Sequence, residues 1–341
     1  MRQERKTPTL VTLGTDSSGS IGSSPVVAPL LVALALGIVY VVWGSTYLAI
    51  RIVVEDLPPL ASASWRFLLA GAILALWLAA RSGISRLWVT RTELLGCVTL
   101  GLLLPAAGNG LVVVAESRGA PSGIAALLIA AVPLWVVIYR SFAGDRPSPR
   151  TLTGVIVGFA GLVGLISASG LEGDVPIAAC LLIVVAAMCW SFGSWSTSWL
   201  RLPQDPFVTA VYEMIAGSGF LFLGALLRGE DVVPRSAPLD AWLAWGYLVT
   251  FGSVMAFTAY VWVLQAAPIS LVATYAYVNP VVAVFLGWLI LEEAITPAIV
   301  IGGGVVVASV AIVVSAERQV SMSTETAQPP RQDHAHRDGA P

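Results

Sequence analysis

Between residues 30 and 315 the chain runs ten times for about 20 residues with almost no charge, and Pro, Gly, Asp or Arg clusters separate the runs. Crossing ~30 Å of hydrocarbon at ~1.5 Å per residue takes that length. Each run therefore predicts a membrane helix: 30–53, 60–80, 93–115, 122–142, 151–169, 177–200, 207–227, 241–266, 269–291 and 297–315. The connectors carry breaker chemistry, as in Asp56-Leu57-Pro58-Pro59, Asp145-Arg146-Pro147-Ser148-Pro149 and the stretch from Gly229 to Pro238. Residues 1–29 and 316–341 are polar, and both predict disordered cytoplasmic tails. In the first tail a Ser/Gly tract separates Arg2, Arg5 and Lys6 from a full-length apolar run, which argues against a cleaved signal peptide.

The runs repeat. Ala120-Pro121-Ser122-Gly123 through Pro133 recurs as Ala267-Pro268-Ile269-Ser270 through Pro280, and a separation of 147 also joins Trp43 to Trp190, Pro59 to Pro206, Trp65 to Tyr212 and Ala126 to Ala273. So long a period is a duplicated multi-helix module, residues 30–170 and 177–315, and not a solenoid unit. Five helices per copy is an odd number, so the second copy enters the membrane from the opposite side. Inverted repeats offer two near-equivalent shapes around a site near the midplane, the geometry of alternating access. Arg and Lys divide 13 to 5 between the two sides and place both termini in the cytoplasm.

Composition narrows the function. With 57% hydrophobic and 11% charged residues and a mean hydropathy of +0.84, the chain needs lipid as its solvent. A net charge of −2 supplies no basic stripe for nucleic acid. The single lysine, Lys6, rules out a P-loop, no Gly-x-Ser-x-Gly or His-Glu-x-x-His motif is present, and both histidines lie near the C-terminus. No catalytic residue, metal site or cofactor is expected. Cys97, Cys180 and Cys189 fall in apolar runs as small hydrophobes.

Trp43-Gly44-Ser45-Thr46-Tyr47, Leu57-Pro58-Pro59 with Trp65-Arg66-Phe67, and the small-residue segment ending at Pro133, repeated from Trp190 and at Pro268 to Pro280, resemble the EamA domain of the drug/metabolite transporter superfamily. Leu291-Glu292-Glu293 before a Gly-rich tenth helix adds to the likeness. The resemblance implies an all-α, ten-helix membrane fold of two inverted five-helix repeats. It also implies a cavity lined by the first four helices of each copy, with the fifth and tenth peripheral. The function it implies is export of amino acids, other metabolites or drugs across the bacterial inner membrane. Asp145 beside Arg146, and Ser191-Phe192-Gly193 where the first copy has Gly44-Ser45-Thr46, depart from the pattern. A lipid or lipid-linked headgroup flippase and a non-catalytic membrane scaffold are the competing readings.

Charge inside a span costs about 2.5–3.5 kcal/mol at the helix centre. Arg66 and Glu213 stand clearly inside, at equivalent positions of the two copies. They bracket the expected cavity, Glu213 for a cationic or amino group or a coupling proton and Arg66 for a carboxylate or a structural carbonyl; the alternative is snorkelling to the nearest interface. Coupling to a proton or other ion gradient belongs to this reading. Candidate cavity walls follow helical spacing: Tyr40, Trp43 and Tyr47; Trp190 and Ser194; Thr258, Trp262 and Gln265; Thr274 and Tyr277 with Ser270. Asn109 and Asn279 add amides. For any one of these the alternative is helix–helix hydrogen bonding or interfacial anchoring. Pro105, Pro133 and Pro280 are read as intrahelical, and the repeat mates Pro133 and Pro280 as symmetric hinges or, equally, as ordinary tolerated kinks. Gly154, Gly158, Gly161, Gly164 and Gly302-Gly303-Gly304 offer close helix packing, within the monomer or across a homodimer. A small-molecule substrate and the bilayer are the other expected partners.

Overall fold

The computed structural model describes residues 29–171, 176–233 and 236–327, and among them the chain is helical with no strand. The helices are α1 Pro29–Asp56, α2 Pro59–Ser82, α3 Arg91–Ser117, α4 Ser122–Phe142, α5 Pro149–Leu171, α6 Ile177–Ser196, α7 Pro206–Leu227 and α8 Leu239–Ala266. Two pieces, Ile269–Val272 and Tyr275–Leu291, make up α9, and α10 is Pro297–Ala327. Each of these helices except α3 begins on a proline or on the residue after one. The first helical N–H groups have no intrahelical acceptor, so a residue lacking that donor is cheapest there, above all beside lipid. At α3, Thr90 and Glu93 form a reciprocal capping box instead.

Acidic side chains finish other starts. Glu230 Oε2 accepts from Leu60 N (2.8 Å) and Ala61 N (3.0 Å) at α2. Asp205 Oδ1 accepts from Phe207 N (3.0 Å) at α7 while its Oδ2 accepts from Arg86 Nε (2.7 Å). Glu293 Oε1 accepts from Ser122 N (2.8 Å), and its Oε2 from Ser122 Oγ (2.8 Å) and Gly123 N (3.3 Å), tying the α9–α10 connection to the start of α4.

Repeat mates pack on one another: α2 on α7, α4 on α9, α5 on α10. Small residues set the spacing. A Cβ at Gly154, Gly158 or Gly161 of α5 would meet Val313, Ser309 or Val305 of α10, whereas Gly164 and Gly304 face open space.

The C-terminal tail differs from the expectation of disorder after residue 315. Helix α10 runs on to Ala327, because Ala316 to Ala327 contains no Pro or Gly and the first breakers are Pro329 and Pro330. Residues 1–28 and 328–341, the remainder of the expected tails, lie outside the described residues. The helix breaks do not fall at the two expected hinge prolines. In α4 the break falls at Ala130-Ala131, so Pro133 sits in the first turn of the second half, where its missing donor costs little. In α9 the break is at Ala273-Thr274 and Pro280 is inside Tyr275–Leu291. Thr274 Oγ donates to Leu271 O (2.6 Å), a local bond that competes with the helical ladder at that point. The two breaks are therefore not repeat mates.

Candidate functional site

Three wide π-type stretches surround the middle of the bundle: Val39–Trp43 in α1, Leu102–Asn109 in α3 and Leu248–Phe257 in α8. The last two occupy equivalent places in the two repeats. Pro105 lies within the α3 stretch, whose extra residue per turn absorbs the missing donor. Such turns release backbone groups and shift which side chains face inward. Here they aim Trp43, Gly108, Asn109, Gly252 and Phe257 at a common space.

That space is a small cavity lined by Trp43, Thr46, Tyr47 and Ile50 of α1, Arg66 and Phe67 of α2, Gly108, Asn109 and Val112 of α3, Ile129 of α4, Trp190 of α6, Gly252 and Phe257 of α8, and Tyr275 of α9. All four leading helices of the first copy contribute; of the second copy α7 does not. Gly108 is required by its neighbour, since a Cβ there would stand 2.6 Å from the Trp190 ring.

An aromatic cluster makes one wall. Trp43 lies 5.3 Å from Trp190, 4.7 Å from Tyr260 and 5.6 Å from Tyr275, centroid to centroid. Hydrogen bonds lock its members: Trp43 Nε1 donates to Gly252 O (3.2 Å), Trp190 Nε1 donates to Tyr260 OH (3.0 Å), and the Tyr260 and Ser194 hydroxyls are 2.6 Å apart.

Arg66 faces that wall. Its side chain is not at an interface but inside, 3% exposed, donating from Nε to Ser253 Oγ (2.8 Å) and from Nη1 towards Asn109 Oδ1 (3.5 Å). No carboxylate pairs with it among the described residues. A guanidinium has five N–H donors in a planar fork, so most of them are left for whatever enters the cavity. Gly252 keeps the space beside it open, since a Cβ there would sit 3.2 Å from Arg66 Nη2.

The structure thus gathers Trp43, Tyr47, Arg66, Asn109 and Trp190 around one cavity, with Ser194 bonded behind the wall. Tyr40 hydrogen-bonds Thr274, and the Asn279 amide, its nitrogen turned towards Tyr40 O (3.0 Å) and Tyr275 O (3.3 Å), ties the same two helices; these three serve α1–α9 packing. Tyr277 is half-buried against apolar neighbours. Thr258 and Trp262 do share a face, but it lines a separate apolar groove with Leu34, Ile73, Trp77 and Met255, while exposed Gln265 donates to Thr209 Oγ (3.4 Å) near the helix end. Glu213 is 1% exposed and lies outside the cavity, its backbone packed on Gly101 of α3.

Sequence reasoning missed Tyr260, Tyr275, Ser253 and Gly252, because the π stretch and the α9 break shift the helical phase that spacing assumes. It also missed Glu116, which falls one residue past the expected end of the third span and is fully buried in α3. Extending that span to Arg118 would have exposed it as a third intramembrane charge.

Comparison with known proteins agrees with this architecture. The EamA-like transporter family matches residues 30–167 and 177–315. The chain is 39% identical over 279 residues to the Escherichia coli K12 protein named uncharacterized inner membrane transporter YedA, covering 82% of this chain and 89% of that one. It is 28% identical over 206 residues to a Salmonella typhimurium protein named probable amino-acid metabolite efflux pump, covering 58% of this chain and 65% of that one. A solved crystal structure superposes with a TM-score of 0.61 at 23% identity, over 85% of this chain and 98% of the other, which shows a shared fold. Ten helices among the described residues, two in-register repeats and a family match over both of them establish that this chain is a multi-pass membrane protein belonging to the EamA-like transporter family.

Proposed function

We propose that the protein exports small carboxylate-bearing metabolites, amino acids or their relatives, across the bacterial inner membrane by alternating access. The observation that carries this is Arg66: a buried guanidinium with no acidic partner among the described residues, on the wall of a cavity lined mostly by apolar and aromatic side chains. A charge in that position is costly unless a ligand uses it. A carboxylate would take the free N–H fork, and the faces of Trp43, Trp190 and Tyr275 would receive an ammonium group or an apolar side chain. The name of the Salmonella relative supports the substrate class and the direction, and that of the Escherichia coli relative supports the inner membrane alone. With both termini cytoplasmic, the end bearing Glu230 and Glu293 faces outward and the end bearing Arg86 and Asp205 inward.

The test compares external and internal metabolites of cells overproducing the wild type and Arg66→Met. A small acid that accumulates outside with the wild type alone supports the proposal and names the substrate class. No difference would refute export of a native carboxylate. A second reading, an amphipathic drug or lipid, rests on the groove along α1, α2 and α8, lined by Leu31, Leu34, Ile73, Trp77 and Met255. It predicts dye efflux that Arg66→Met leaves intact.

A further inference from the structure

Glu116 lies in the last turn of α3 and is fully buried, and neither of its carboxylate oxygens meets a hydrogen-bond donor. A carboxyl closed off from water and lacking any donor is tolerated as the neutral acid and not as the anion. The groups facing it are few. Arg51 of α1 is close but occupied elsewhere: Nη1 donates to the Glu116 carbonyl oxygen (2.7 Å) and Nη2 pairs with Glu55 (3.3 Å). Tyr47 of α1 and Glu293 of the α9–α10 connection are the other titratable neighbours. Glu293 is engaged in capping α4.

This position is coupled to the cavity on one side and to a closure on the other. Tyr47, and Val112 one turn before Glu116, both line the cavity. The Glu293 clamp on Ser122 and Gly123 holds together the end of the bundle where Glu116 sits. Arg51 needs only a side-chain rotation to exchange the Glu116 carbonyl for its carboxylate. The residue therefore has two self-consistent arrangements: a neutral acid with Arg51 held by Glu55 and the Glu116 carbonyl, and an anion paired with Arg51.

We propose that Glu116 is the site of the coupling proton, so that export is a proton antiport. This rests on the transport function proposed above. With the Glu293 end open, the Glu116 carboxylate takes a proton from outside water and releases Arg51 to Glu55. The neutral acid is buried as that end closes. When the opposite end opens, the proton leaves through the cavity wall at Tyr47 as substrate binds, and Arg51 pairs with the anion. One proton enters for each substrate that leaves, and no other reactant is needed.

The experiment uses the full chain in liposomes, with a ¹⁴C-labelled mixture of the protein amino acids as probe. Two modes are measured: exchange at equal pH, which needs no net proton movement, and accumulation under an imposed pH difference. At one proton per substrate, a difference of about one pH unit drives about tenfold accumulation. The wild type should show both modes; Glu116→Gln should keep exchange and lose accumulation. Arg51→Gln, which removes the partner of the anion and leaves Glu116 in place, should slow accumulation more than exchange. Accumulation by Glu116→Gln at the wild-type level, or wild-type accumulation indifferent to the gradient, would overturn the proposal. If the wild type shows no exchange, the amino-acid substrate reading fails and the proton site is judged by infrared spectroscopy. A protonated-carboxyl stretch at neutral pH that is lost in Glu116→Gln and shifted in Glu116→Asp supports it, and absence of that stretch in the wild type refutes it.

Discussion

Replacing Arg66 by Met separates binding from stability. The substitution keeps an unbranched stem of similar reach, and removes a charge whose burial costs about 2.5–3.5 kcal/mol. It also removes the bond to Ser253 Oγ, a charged hydrogen bond of about 1.5–3 kcal/mol, so the two changes nearly cancel. Thermal stability in detergent should therefore stay within about 1 kcal/mol of wild type. Substrate binding should not. Loss of the charged fork removes about 1.5–3 kcal/mol from a carboxylate ligand, which is about 10- to 150-fold in affinity. Exchange of labelled amino acids in liposomes, read as KM, measures the second effect, and intrinsic fluorescence during heating measures the first. Arg66→Lys, which keeps charge but not the planar fork, should fall between the two. The reasoning is refuted if Arg66→Met binds substrate as tightly as wild type, or if it loses several kcal/mol of stability, since Arg66 would then be a structural strut.

Three further outcomes follow from the contacts. Gly108→Ala places a methyl 2.6 Å from the Trp190 ring, and should cost about 1–3 kcal/mol by thermal unfolding while raising KM, because the displaced indole enters the cavity. Glu293→Ala leaves Ser122 N and Gly123 N at the start of α4 without their acceptor, and should cost about 1–2 kcal/mol and increase labelling of a cysteine placed at Ile129 of the cavity. Asp205→Ala removes both the α7 cap and the pair with Arg86, for about 1–2 kcal/mol, whereas Asp205→Asn keeps the cap and should lose under about 1 kcal/mol in the same melt.

Chemistry alone made part of the candidate site legible in the sequence, although the same chemistry that singled out Arg66 also pointed to Glu213, which lies outside the cavity. Arg66 stood out because charge in an apolar run is expensive, and the Trp43 motif because its aromatic spacing follows one face of a single helix. Legibility ended where geometry decided between neighbours. Tyr275 lines the cavity and Tyr277 does not, since the break at Ala273-Thr274 rotates the rest of α9. Thr258 and Trp262 are correctly one stripe, yet the stripe fronts a lipid-side groove, while Tyr260 points to the aromatic wall. Helices that are apolar all round give hydropathy no inward face to report.

Hydropathy and internal similarity by themselves determined ten helices, two repeats and their inversion. Bilayer thickness sets span length, unsatisfied backbone groups exclude every open alternative, and an odd number of spans reverses the second copy. Tertiary structure alone decided which side chains meet. The π stretches of α3 and α8 that bring Ser253 and Asn109 to Arg66, and the end of α3 that buries Glu116 without a donor, arise from how helices press on one another. Side-chain contact between distant turns depends on a few degrees of helical phase, and no pattern along a single run of sequence carries that information.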